Sequence, residues 1–120
     1  MDLREPTCEV VITAPDNEWL VSLSHALVEN RLCAGSHNIV EIRSVYRWQG
    51  ETVERTEARV ALHTRLSLVP EIDAFVKERH PYLVPCVVAW PIADGNPDYL
   101  TWIVAETREP LTSPHEPEKQ

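Results

Sequence analysis

Histidine and cysteine are the side chains in this sequence with the chemistry to hold a metal ion, and each has a competing structural role. His80 stands at the end of a helical stretch and before Pro81. A neutral imidazole is a common ligand, and a helix C-terminus adds negative potential around it. The same position suits a residue that caps the helix ahead of a proline turn. His63 falls on the strand face that carries Ala61, where an imidazole would change charge near neutrality or join an interface through a hydrogen bond. Cys33 and His37 are four apart, but Gly35 between them argues against the shared helical face that a metal would need, so both read as structural. With Cys8 and Cys86 there are three thiols, widely spaced and flanked by apolar residues. They form neither the close pairs of a zinc site nor the even count of a disulfide framework, so reduced thiols in a cytoplasm are expected.

The aromatic residues Tyr46, Trp48, Tyr99 and Trp102 form a large set for a chain with a single Phe. Tyr and Trp join apolar area to a polar tip, which suits packing between subunits first and a ligand cleft second. The acids Glu51, Glu54 and Glu57 read as a solvated face that attracts cations weakly. No Gly-x-Ser-x-Gly or His-Glu-x-x-His places a nucleophile or base, so catalysis is not expected. Gly35, Gly50 and Gly95 are isolated, which excludes a glycine-rich phosphate cradle. A net charge of -8 is the wrong sign for holding nucleic acid or an anionic membrane.

The elements that must position these groups follow from periodicity. Thr7 to Ala14 is β-branched and apolar with little alternation, a strand covered on both faces. Asp16 caps a helix over about 17 to 33, with Gly35 placed to end it in the left-handed region. From His37 to Trp48 the period becomes two, with Val40, Ile42, Tyr46 and Trp48 on one face. Gln49-Gly50-Glu51 turns the chain into a third strand over Thr52 to Thr64. These hairpin arms would run roughly 40 Å and overhang the domain. Ser67 caps a second helix with Pro70 in its first turn. The apolar run from Val84 to Ile92 is a buried strand, and Asn96-Pro97-Asp98 opens a short third helix.

Strand, helix, strand, strand, helix, strand and an extra helix make an α+β, ferredoxin-like βαββαβ arrangement over residues 1–108. Residues 109–120, proline-rich and nearly without apolar side chains, read as a disordered tail. The chain's 120 residues suit one domain. The N-terminus has no apolar leader, and no apolar run is long enough to span a membrane. Helices on one face leave the other face of the sheet bare, which implies a partner subunit.

Thr13-Ala14-Pro15-Asp16, Arg31-Leu32, Ser44-Val45-Tyr46-Arg47-Trp48-Gln49-Gly50, His80-Pro81-Tyr82 and Asp98-Tyr99-Leu100-Thr101-Trp102 together resemble the divalent-cation tolerance protein CutA family, colinearly over about residues 8 to 106. The resemblance implies a non-enzymatic homotrimer similar to the PII signalling proteins and a part in the response to metal ions. Of the family's copper-linked residues only His80 is retained, which makes it the metal candidate and a divalent cation such as copper or zinc at best weakly bound; the alternative is a PII-like small-molecule sensor or signalling trimer using clefts between subunits. His63, Tyr46, Trp48, Tyr99 and Trp102 are the cleft candidates. The sequence departs from the family pattern at several positions. Gly35 and His37 stand where Cys and Asn are common in the family. Ile12 and Arg79 replace the Cys and His of copper-linked bacterial members, and His63 replaces a Lys.

Overall fold

A computed structural model of the protein describes residues 5–111. Among the described residues there are four strands and three α-helices: β1 (Thr7–Ala14), α1 (Asn17–Glu29), β2 (Gly35–Trp48), β3 (Glu51–Arg65), α2 (Val69–Lys77), β4 (Val87–Pro91) and α3 (Pro97–Glu106). The sheet runs β2-β3-β1-β4, every neighbouring pair antiparallel. This is the expected ferredoxin-like order with an added helix.

Register decides what each face carries. On β1 the even residues Cys8, Val10, Ile12 and Ala14 are fully buried, and they share a core with Ala58, Val60 and Leu62 of β3. Leu20, Leu23 and Leu27 of α1 and Ile72 and Val76 of α2 close that core from above. Cutting one of these large aliphatic side chains to Ala would remove roughly 2–5 kcal/mol.

Local signals at the starts of α1 and α3 work as expected. Asp16 accepts from the Trp19 amide at 3.3 Å, and Asn96 accepts from the Asp98 amide at 2.9 Å with Pro97 next to it. The end of α1 differs from expectation. The helix stops at Glu29, and the left-handed residue is Arg31 (φ 59°), four residues ahead of Gly35, which opens β2. Leu32 N bonds to Leu27 O and Arg31 N to Val28 O, both at 2.9 Å, the paired bonds of a Schellman turn. Arg31 tolerates the conformation because its guanidinium reaches the end of α3, at 2.8 Å from Ala105 O and 3.2 Å from Glu106 O. Ser67 does not cap α2. A 3-10 turn at Leu66–Leu68 intervenes, and the Ser67 hydroxyl donates to Glu5 at 2.6 Å instead.

The hairpin is long, 14 residues in β2 and 15 in β3. β1 pairs with β3 only from Ala58 onward, so the distal half of the hairpin extends past the sheet. A bulge between Ile39 and Ile42, with Glu41 at φ 69°, inserts one residue and reverses the faces of β2. Before it, Ser36 and Asn38 pair with Leu62 and Val60 and share their helix-covered face. Beyond it, Ile42, Ser44, Tyr46 and Trp48 lie on the opposite face, and the expected single alternation through Val40 is broken.

Two further expectations are corrected. β4 covers only Val87–Pro91 at the sheet edge, so Val88 and Trp90 on its helix-free side are 48% and 43% exposed and not buried. The second face is not wholly bare either. His63 points there, and Tyr99 and Trp102 of α3 meet His63 and Gly35, so α3 packs on the face opposite α1 and α2. Arg65 holds its far end through Val104 O and Thr107 O at 3.0 and 2.9 Å. Leu111 N bonds to Glu71 at 2.8 Å, and residues 112–120 of the expected tail lie outside the described residues.

Candidate functional site

His80 ends the α2 segment almost fully buried, its ring edge-on to Trp19 with centroids 5.1 Å apart. Its Nε2 donates to Thr13 O at 2.8 Å, which leaves Nδ1 to accept from the Tyr82 amide at 3.0 Å. Both ring nitrogens are therefore engaged in closing the turn after α2 onto β1. Among the described residues no group of three or more His, Cys, Asp or Glu is arranged to hold a metal ion.

His63 lies between two partners. Nε2 is 2.9 Å from Glu9 Oε2 on the neighbouring strand, and Nδ1 is 2.5 Å from the Tyr99 hydroxyl. With Nε2–H donating to the carboxylate, Nδ1 accepts from the phenol. Burial, and after it the charge of Glu9, holds Tyr99 above the usual phenol range, which keeps that donor protonated. Trp102 stacks on Tyr99 at 5.5 Å, and the ring of His37 stands edge-on to His63 at 5.5 Å. Glu9, His63, Trp90, Asp94 and Tyr99 line a cleft of about 380 Å³ here.

Tyr46 and Trp48 are elsewhere. Val53, which pairs with Tyr46, stands ten residues before His63 on β3, a distance of roughly 30 Å. The five cleft candidates thus divide between two places within one chain. At the hairpin, Tyr46, Trp48, Arg55, Tyr82, Leu83 and Val84 line a cleft of about 460 Å³. Beside it Glu57, only 4% exposed, accepts from Ser44 Oγ at 2.7 Å and from the Tyr82 hydroxyl at 2.6 Å. Burial, then the hydrogen bond and charge of Glu57, moves the Tyr82 phenol well above its ordinary range.

Glu57 was expected on a solvated face. Its partners are distant in sequence, and only the His80-Pro81-Tyr82 motif signalled one of them. Cys33 and His37 do not form a pair: Cys33 is buried, whereas His37 is exposed beside His63. Burial pushes the Cys33 thiol up to about 12 and that of Cys8 up to about 11, so both remain protonated at neutral pH. Cys86 is exposed. No helix among the described residues is long and apolar enough to cross a membrane.

The CutA1 divalent ion tolerance protein family matches residues 8–106. The divalent-cation tolerance protein CutA of Thermus thermophilus is 43% identical over 98 residues, covering 82% of this chain and 95% of that protein. Protein CutA of Mus musculus is 39% identical over 92 residues, covering 77% of this chain, which spans only 52% of the mouse protein. The crystal structure of CutA1 from Oryza sativa superposes with a TM-score of 0.85 at 35% identity, covering 88% of this chain and 97% of that one.

Proposed function

Since the chain belongs to the CutA1 divalent ion tolerance family, we propose that it contributes to tolerance of divalent cations as a cytoplasmic, non-enzymatic homotrimer. The family match over the whole folded body carries the cation reading. The structure bears on how the role is carried out. A resident metal does not fit the described residues of a single chain, because they gather no group of three or more His, Cys, Asp or Glu and both His80 nitrogens are bonded. Any copper or zinc is bound weakly.

Support for self-assembly comes from the sheet face opposite α1 and α2. Ile39, Val88 and Trp90 are about half exposed there, and the distal hairpin projects beyond its own sheet. A face of this kind is stabilised when a second copy covers it. Free cysteines, two of them buried, suit a reducing compartment.

Deleting the gene in its native host and challenging growth with graded copper, zinc and cobalt tests the cation reading. We expect inhibition at lower metal concentrations than in the parent, with recovery on complementation. Unchanged sensitivity to all three metals would overturn it.

A further inference from the structure

We propose that Arg59 is the charged contact of self-assembly: a carboxylate of a neighbouring copy of this chain pairs with its guanidinium when that copy covers the sheet face opposite α1 and α2. The inference rests on the self-assembly reading and adds to it the ionic contact that the incoming copy must supply.

Arg59 lies on β3 between Thr13 of β1 and Ile39 of β2, its partners in register. Its neighbours Ala58 and Val60 belong to the helix-covered core, so Arg59 projects from the opposite face, as Glu57, Ala61 and His63 do. The surroundings there are apolar. Val11 and Ala61 are buried, Ile39 and Val88 are about half exposed, and Arg59 itself is partly buried.

Within one chain the guanidinium is unpaired. Among the described residues it has neither an ion pair nor a hydrogen bond, whereas Arg43, Arg65 and Arg108 pair with Glu54, Glu5 and Glu71. The acids that share its face are engaged elsewhere: both Glu57 oxygens accept from Ser44 and Tyr82, and Glu9 bonds to His63. In an isolated chain solvent therefore serves the five N–H donors of Arg59. A second copy laid over Ile39, Val88 and Trp90 removes that solvent, which is strongly unfavourable unless an opposite charge takes its place. A copy of this chain brings such charges in excess, with 19 Asp and Glu against 11 Lys and Arg. A planar guanidinium takes a carboxylate through two parallel hydrogen bonds, so the pair would also fix the orientation of the incoming copy.

The test is sedimentation velocity on the tag-free full chain over a dilution series, in urea sufficient to half-dissociate the wild-type assembly. Arg59→Met keeps an unbranched apolar stem and leaves the partner carboxylate unpaired, so it should weaken assembly at least about tenfold. Arg59→Lys should assemble more tightly than the uncharged Arg59→Gln, a comparison that stands even where Arg59→Met does not fold. Circular dichroism of each variant separates lost assembly from lost fold. Arg59→Met or Arg59→Gln assembling as tightly as wild type, or more tightly, would overturn the proposal. So would a gain on adding inorganic phosphate that wild type shows and Arg59→Met lacks, which would assign the contact to a free oxyanion. A wild-type chain that is monomeric without urea would remove the self-assembly reading itself and this proposal with it.

Discussion

The Tyr82 hydroxyl donates to Glu57 Oε2 at 2.6 Å, a contact that, with the Arg55 guanidinium over the Tyr82 ring, joins the loop after α2 to the part of β3 that no longer pairs with β1. Glu57 is buried, so removing the donor leaves one carboxylate oxygen without its protein partner. Tyr82→Phe should cost about 1–3 kcal/mol in chemical denaturation at neutral pH. An unchanged midpoint and slope would show that the contact does not hold the hairpin.

The same phenol predicts an alkaline signature. Its ionisation is raised in the folded state by burial and then by Glu57, so the fold favours the protonated form. That stabilisation is complete below the unfolded value of about 10 and is lost as pH rises beyond it. Stability should fall above about pH 10, and Tyr82→Phe should flatten the decline. Tyr99, also raised, accounts for part of what remains. Equal slopes in the two proteins would contradict this.

Arg31 permits a test of backbone strain against contact. Arg31→Ala and Arg31→Gly both lose the bonds to Ala105 and Glu106, but only Gly relieves the left-handed conformation. Arg31→Ala should be the less stable of the two by about 1 kcal/mol in thermal or denaturant melts. The reverse order would mean that the turn is not held as described.

What the sequence revealed and what it hid divide along contact distance. Asp16 and Asn96 cap helices that begin one residue later, and such signals are complete within a few neighbouring residues. The bulge at Val40 and Glu41 carries no glycine, so nothing local marks the reversal that sends Tyr46 and Trp48 to the helix-free face. Glu57 looked like one more surface acid because its partners lie 13 and 25 residues away. The placement of α3 across the sheet depends on Tyr99 meeting His63, 36 residues earlier, and periodicity in α3 cannot specify which face it will cover. Of the candidate site, His63 and Tyr99 are neighbours, while Tyr46 and Trp48 stand with Arg55, which no motif in the sequence marks.

Metal affinity should be low. Tight Cu or Zn sites require several thiolate or imidazole ligands in fixed geometry, and no such group exists among the described residues. Isothermal titration of the tag-free protein with Cu(II) and Zn(II) should give dissociation constants no tighter than about micromolar. Stoichiometric nanomolar binding would contradict the absence of a preformed ligand set among these residues.

Self-assembly is the claim on which the account most depends, and the mass of the full chain measured by light scattering at micromolar concentration tests it most directly. The expected value is three times 13.7 kDa. Val88→Asp, which puts a charge on the exposed apolar face, should reduce that mass or the stability. Glu54→Lys, at a solvent-exposed pair with Arg43, should leave the mass unchanged. A stable, monodisperse monomer would contradict the account.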